Sequence, residues 1–199
     1  MTGLIVPHGG KLVNRILEGK EREDAAEKSL KLKKVVLNDR EVSDLEMIAI
    51  GAFSPLEGFM KKDDYHSVMD NMKLSSGLPW TIPVTLSVTK DEAKNLQEGE
   101  DVSLLNKDGD ILAVLHIEEK FEHDKEKESE QVYGTTDFAH PGVAKVFEMG
   151  DILIGGKVSV IHRVKQEDFK KYRLDPKETR QLFKEKGWKR VVGFQTRNP

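Results

Sequence analysis

The chain has 199 residues, of which 37% are hydrophobic, enough for one domain with a core and part of a second. It has no cysteine, which excludes disulfides and thiolate chemistry. The net charge of -3, with acidic and basic residues interleaved as in residues 125–128, predicts solvated surfaces and argues against binding to nucleic acid. The longest apolar run, residues 47–53, is far shorter than the roughly 20 residues of a membrane span, so we expect no membrane segment and a cytoplasmic location.

The first part of the chain predicts three helices. Residues 12–32 have a helical pattern with Gly19 as a break. Ser43 and Glu46 are spaced as a capping box, which predicts that a second helix begins there. Residues 63–72 predict a third helix. Four of its residues share one face: Tyr65, Val68, Met69 and Met72.

Further along, the pattern becomes that of strands. Residues 82–88 alternate apolar and small polar side chains, as a half-buried strand does. Residues 102–105 and 111–117 flank an Asp-Gly pair, which is typical of a hairpin. Residues 152–164 form another strand-rich stretch, interrupted by two consecutive glycines. Several short strands without regular βαβ alternation predict a small β-barrel with helical insertions.

The last part of the chain changes to an α/β pattern. Asp175 and Pro176 are typical of the N-cap and first position of a helix, with Glu178 at its third position. Gly187 is expected to end that helix. Residues 189–194 then predict an apolar strand. A helix that leads into such a strand is the start of a parallel α/β unit.

The expected fold is therefore mixed α and β, with two domains. Residues 1–165 are assigned to the barrel domain and residues 166–199 to the incomplete beginning of an α/β domain. Since the α/β unit is unfinished, we expect the apolar strand residues 191–194 to lack sheet neighbours, and the chain from about Gln166 either to be mobile or to pair with another copy of the chain.

Polar residues follow directly after that strand. In open α/β sheets, ligands bind beyond the carboxyl ends of strands, where a following helix also presents free N–H groups. Arg197 would add a planar cation suited to an oxyanion, and Gln195 and Asn198 would add amide groups. The pattern fits anion recognition, but spacing alone fits an ordinary strand-to-loop turn equally well.

The run Gln195, Thr196, Arg197, Asn198 and Pro199 resembles the first catalytic motif of the ATP sulfurylase (sulfate adenylyltransferase) family. Other segments resemble blocks of that family in the family's order. They are residues 7–13 (PHGGKLV), 51–60 (GAFSPLEGFM), 80–86 (WTIPVTL), 133–137 (YGTTD), 140–143 (HPGV) and 172–180 (YRLDPKETR). The resemblance covers nearly the whole chain.

The resemblance implies a PUA-like N-terminal β-barrel followed by an α/β nucleotidyltransferase (Rossmann-like) domain. It implies a reaction of ATP and sulfate to adenosine 5′-phosphosulfate and pyrophosphate, with Mg²⁺ accompanying ATP. The sequence itself shows no protein metal site. By resemblance, Gln195 and Arg197 bind sulfate, and Thr196 and Asn198 lie against the ATP phosphates. All four belong to the nucleotide site, and Thr196, Arg197 and Asn198 are the catalytic candidates.

Two consequences of the resemblance concern the whole protein. The family's His-x-x-His pair would follow residue 199, so the 199-residue chain is expected to be inactive by itself. The full-length protein is expected to be a homo-oligomer. Two alternatives remain open: a free-standing PUA-like binding module, and a structural domain that packs against the catalytic half. The reaction could run towards sulfate assimilation or in reverse during sulfur oxidation.

Other residues with possible chemistry are predicted to be structural. The six histidines have no spacing of a metal site. Ser54 has no His/Asp arrangement near it in the sequence, so a nucleophilic role is not supported. Trp80 and Trp188 are expected in the core rather than as stacking residues.

Overall fold

Seven strands within residues 5–164 and 168–194, the parts of the chain that the computed structural model describes, form one sheet. The strands are β1 (Lys33–Val36), β2 (Gly58–Phe59), β3 (Leu86–Val88), β4 (Asp101–Leu105), β5 (Ile111–His116), β6 (Glu119–Glu122) and β7 (Ile152–Val160). The order is β1-β4-β5-β7-β2, and β3 and β6 also pair with β7. β1 and β4 run parallel, and the other pairs are antiparallel.

Helices lie before, between and after these strands. They are α1 (Gly19–Ser29), α2 (Asp39–Ala49), α3 (Lys62–Asn71), α4 (Lys90–Lys94), α5 (Lys125–Tyr133), α6 (Pro141–Glu148) and α7 (Pro176–Glu185), with a 3-10 turn at Lys170–Tyr172. Within the described ranges, no helix has both the length and the apolar character needed to cross a membrane.

β7 is the strand around which the sheet curls. It is nine residues long and pairs with four other strands. Its first part, residues 152–155, lies against β3 and β6, and its second part, residues 156–160, pairs with β2 and then β5. Because successive partners bind along one strand, the sheet bends into a half-barrel. The predicted β-barrel with helical insertions is confirmed.

Two consecutive glycines allow β7 to pass its neighbours at short range. A Cβ atom on Gly155 would lie 2.4 Å from the carbonyl oxygen of Met60, and one on Gly156 would lie 2.0 Å from that of His116. Both distances are far shorter than van der Waals contact. The prediction that these glycines interrupt the strand is therefore wrong, because they let β7 continue through the crossing.

One hydrophobic core joins the sheet to α2 and α3. Leu45 and Ile48 of α2 and Tyr65 of α3 are fully buried, as are Leu104 of β4 and Leu115 of β5. Burying one such aliphatic side chain contributes about 2 kcal/mol to folding. The helical insertions are thus part of the same core as the barrel.

The first predicted helix is only partly present. Residues 12–18 are not helical, and α1 begins at Gly19, the residue predicted as a break. The Leu17 N–H donates to the Val160 carbonyl at the end of β7, at 2.9 Å. Pairing with the sheet therefore overrides the local helical pattern.

The second helix begins earlier than predicted. Asn38 caps α2, and its side chain and that of Glu41 form the capping box. Ser43, the predicted cap, lies inside the helix, where its hydroxyl donates to the Asp39 carbonyl at 3.0 Å. The helix ends before Gly51, whose φ of 78° suits the position after the end of a helix.

The third helix and the hairpin agree well with the sequence. α3 spans the predicted region, but Met72 adopts the left-handed conformation and is exposed instead of joining the inner face. β4 and β5 pair around Gly109, whose φ of 88° fits the Asp-Gly turn. The strand predicted at 82–88 is shorter, since β3 covers its last three residues.

Replacing Gly155 with alanine should destabilise the fold by about 2 kcal/mol, because the new methyl group meets backbone that cannot rotate away. Urea denaturation would measure this change as a lower midpoint. Gly193→Ala is the matched control, since a Cβ there meets nothing within 4 Å. Equal midpoints for the two variants would show that the close crossing does not require glycine.

Candidate active site

The four predicted site residues, Gln195, Thr196, Arg197 and Asn198, lie outside the described residues. Their roles therefore stay predictions. The structure describes the chain that leads to them: α7, the turn at Gly187 and residues 188–194.

The approach to the motif begins with a well-capped helix. Asp175 is the N-cap of α7, as predicted, and it also forms a capping box with Glu178, in which the Asp175 N–H donates to Glu178 Oε2 at 2.7 Å. Pro176 occupies the first turn of α7, and Gly187, with a φ of 63°, follows its end. Both predicted boundaries of this helix are confirmed.

The predicted strand at 189–194 is not formed by those residues as the structure describes them. A strand needs a neighbour to pair its N–H and C=O groups, and this segment is exposed: Val192 is 90% and Phe194 is 89% exposed. Trp188, predicted in the core, is instead about half exposed and packs on Phe183 of α7, with ring centroids 5.9 Å apart. The expectation that these apolar residues lack sheet neighbours agrees with the structure.

An ion-pair cluster attaches this C-terminal segment to α2. The guanidinium of Arg163 donates to Glu46 of α2 and to Asp175, the N-cap of α7. Each acidic partner is contacted by two guanidinium nitrogens. Sequence analysis missed the role of Arg163. Its partner Glu46 lies 117 positions earlier in the chain, and no local pattern links the two residues.

Two of the family-like blocks meet in space. The Ser54 hydroxyl accepts from the Val13 N–H at 3.0 Å and donates to the Gly51 carbonyl at 2.6 Å. A Cβ on Gly51 would lie 2.0 Å from the Val13 carbonyl oxygen, so glycine is required for this contact. These two hydrogen bonds give the buried Ser54 hydroxyl a structural role, in which it connects Val13 to Gly51. The sequence likewise did not support Ser54 as a nucleophile.

Two histidines in the family-like blocks also have structural contacts. His8 Nε2 lies 3.0 Å from the Pro79 carbonyl oxygen, beside the partly buried Trp80. His140 caps α6, with its Nδ1 accepting from the Gly142 N–H at 3.2 Å, and its ring packs on Tyr133. Among the described residues, no group of three or more His, Asp or Glu side chains could hold a metal ion.

A buried polar network was missed by sequence analysis. Glu128 Oε2 accepts from the Tyr65 hydroxyl at 2.8 Å and lies 2.8 Å from His123 Nε2. His123 Nδ1 lies 3.1 Å from the Gly150 carbonyl oxygen. Burial and the nearby Glu128 charge raise the pKa of Tyr65, so it stays a donor. Residues 125–128, predicted as a solvated run, therefore contain one buried carboxylate that joins α3, α5 and the end of β6.

A second acidic cluster lies on α2. Burial raises the pKa of Asp44 to about 6, although Arg40 Nη1 donates to it at 3.1 Å and opposes the shift. Burial also raises the pKa of Glu41, against hydrogen bonds from Asn38 and Ser87. Burial therefore shifts these two carboxyl groups, Glu41 and Asp44, towards their protonated forms.

A family model described as PUA-like domain matches residues 5–163, and one described as ATP-sulfurylase matches residues 170–199. The first of these defines the class of the barrel, and its match agrees with the curled sheet described above. The chain belongs to the ATP sulfurylase family, of which it carries a PUA-like domain and the beginning of the ATP-sulfurylase domain.

Curated relatives agree with this family. The chain is 52% identical over 197 residues to "Sulfate adenylyltransferase" of Halothermothrix orenii, covering 98% of this chain and 51% of that protein. It is 48% identical over 199 residues to the protein of the same name from Symbiobacterium thermophilum, covering 100% and 50%. The chain thus spans about half the length of these relatives. A solved structure described as "Hexameric APS kinase from Thiobacillus denitrificans" has a TM-score of 0.77 and 28% identity, covering 99% of this chain and 35% of that one.

Replacing Tyr65 with phenylalanine should destabilise the chain by about 2 kcal/mol, because a buried carboxylate loses a hydrogen-bond donor. Thermal unfolding at constant pH would measure the loss. Tyr172→Phe is the control, since that ring is exposed. An unchanged melting temperature for Tyr65→Phe would mean that the buried network contributes nothing to stability.

Replacing Asp44 with asparagine should stabilise the chain at neutral pH. The pKa of Asp44 is higher in the fold than the ordinary value of 3.8, so the folded chain binds more protons and loses stability as pH rises from about 4 to 6. Asp44→Asn removes this loss, which is worth about 3 kcal/mol at pH 7.

Urea denaturation at several pH values would show a flatter profile for Asp44→Asn between about pH 4 and 6. Asp63→Asn, on the exposed start of α3, should keep the original slope. If both variants kept it, the carboxyl group of Asp44 would not carry the pH dependence.

Proposed function

We propose that this chain is part of a sulfate adenylyltransferase that joins sulfate to the α-phosphate of ATP and releases pyrophosphate. The observation that carries the proposal is the match of residues 170–199 to the ATP-sulfurylase model, which includes the polar run at 195–198. Relatives that carry the name sulfate adenylyltransferase support it at about half identity over nearly the whole chain.

The chemical difficulty of this reaction is charge repulsion. Sulfate is already a dianion and needs no general base, but it must approach a polyanionic triphosphate. Two unit charges 4 Å apart repel by ~4 kcal/mol at an effective dielectric of 20. Fixed positive charge and correct positioning are therefore the main contributions that the protein can make.

The residues after position 194 have the chemistry for that role. Arg197 is proposed as the main cation for sulfate, with Gln195 as a second contact. Thr196 and Asn198 are proposed to contact the ATP phosphates. Thr196, Arg197 and Asn198 would then stabilise the charge that builds up as sulfate attacks.

Mg²⁺ is proposed to arrive with the triphosphate instead of occupying a protein site. Magnesium prefers carboxylate oxygens, and residues 195–198 contain no carboxylate. Its chemistry when bound to ATP would be to neutralise phosphate charge. Within the described residues, the acidic side chains do not form a metal-binding group either.

The remaining features of the whole protein are also proposals. We assign residues 1–165 to the PUA-like domain and 166–199 to the start of the catalytic domain, and the two family matches fall on either side of this boundary. A homo-oligomer is supported by the similar solved structure, which is described as a hexamer. A cytoplasmic location is proposed because the reaction consumes ATP.

Activity would be tested in a hybrid in which this chain replaces the matching segment of the Halothermothrix orenii relative. Arg197→Ala should lower sulfate-dependent pyrophosphate release about 100-fold or more, since removing one such group from an active site has this effect. Arg190→Ala, a change of another exposed arginine in the same segment, is the control.

The 199-residue chain by itself should release no pyrophosphate from ATP and sulfate. Turnover by the purified chain above a protein-free blank would refute that part of the proposal. Near-normal turnover of the Arg197→Ala hybrid would refute the role of the arginine.

A further inference from the structure

Arg163 joins two parts of the chain that lie on opposite sides of the predicted domain boundary. Its Nη1 and Nη2 donate to the two carboxylate oxygens of Asp175 at 2.8 and 3.0 Å. Its Nε and Nη2 donate to one oxygen of Glu46 on α2, at 2.9 and 2.5 Å. The fork of the guanidinium fixes direction as well as distance, which a single ammonium charge does not.

The three partners are partly shielded from water. The side chain of Glu46 is 13% exposed, that of Asp175 is 26% and that of Arg163 is 41%. Burial by itself would lower the pKa of Arg163, but its hydrogen bonds to Glu46 and Asp175 outweigh burial and raise it. The guanidinium of Arg163 therefore remains charged at any ordinary pH.

Asp175 is also the residue that starts α7. It occupies the N-cap position and forms the capping box with Glu178. A carboxylate at a helix N-terminus is favoured by the free N–H groups there. Because the same carboxylate accepts from Arg163, the position and direction of α7 depend on where Arg163 holds its first residue.

Apolar packing contributes little to the placement of α7. None of its side chains is buried. A groove of about 780 Å³ lies between α2 and the segment before α7, lined in part by Met47, Ile50 and Leu174. A second polar link comes from Arg180, which donates to the Ile5 carbonyl at 2.6 Å. Directional polar contacts thus replace a packed interface.

We propose that Arg163 is a positioning residue for residues 195–198: it holds α7, which leads into the chain segment that precedes them, against the PUA-like domain. The inference rests on the proposed function, since it assigns those residues to the sulfate site. α7 ends at Glu185 and Trp188 packs back on it, so a shift of the helix carries the start of that segment with it. Arg163 itself does not touch substrate in this proposal.

The kinetic test compares Arg163→Gln with Arg163→Lys in the hybrid defined above. Displacing an anion-binding group by about 1 Å can cost up to 100-fold, so Arg163→Gln should raise the KM for sulfate about tenfold. Arg163→Lys keeps the charge without the fork and should give a smaller increase. Lys177→Gln, an equal loss of charge on the exposed face of α7, should leave the KM unchanged.

The KM for sulfate separates positioning from a general loss of stability. Partial unfolding lowers the amount of active enzyme and the apparent kcat, but it leaves the KM of the remaining enzyme unchanged. A KM within about twofold of the unmodified hybrid for Arg163→Gln would overturn the inference. An unmodified hybrid that releases no pyrophosphate would instead refute the proposed function.

Hydrogen exchange on the 199-residue chain tests the physical link without any activity. Arg163→Gln should speed exchange of the α7 amides several-fold, because the first turn loses its anchor. The amides of β5 should exchange at the unchanged rate, which would show that the fold is intact. Unchanged protection of α7 in Arg163→Gln would also overturn the inference.

Discussion

The close passage of β7 between its neighbours is the constraint on which the rest of the structure depends. Four strands reach β7 because Gly155 and Gly156 let the backbones of Met60 and His116 approach where a side chain would collide. The curl of the sheet follows from these successive pairings. The core then forms where α2 and α3 pack on the curled sheet.

Polar groups fix the parts of the molecule that apolar packing leaves free. Glu128 joins α3, α5 and the loop after α6 through Tyr65 and His123, all largely buried. Arg163 joins α2 to α7 at the surface. The Glu128 network is buried, so loss of one partner leaves a buried polar group without a hydrogen bond and destabilises the fold. The Arg163 network is half exposed, and its fork geometry fixes the direction of its partners. They suit different tasks: a rigid barrel, and a defined start for the segment that leads to the motif.

Local sequence predicted some elements well, and tertiary contacts overrode others. The capping box at Asp175, the Asp-Gly hairpin and α3 are formed by residues near one another in the chain, so their patterns are sufficient. Residues 12–18 pair with the end of β7 instead of extending a helix, and Glu128 is buried within a run whose charges are typical of a surface. Both outcomes depend on contacts with residues far away in the chain, and a local sequence pattern carries no information about such contacts.

The sequence by itself determined the family, the helices α3 and α7, the β4–β5 hairpin and the identity of the candidate site residues at 195–198. These depend on motifs whose chemistry is carried by neighbouring residues. Only the tertiary structure decided that Arg163 lies between Glu46 and Asp175, that Ser54 is a connector, and that two glycines sustain β7. Each of these depends on distances between residues far apart in the chain, which the folded backbone alone brings to within a few ångströms.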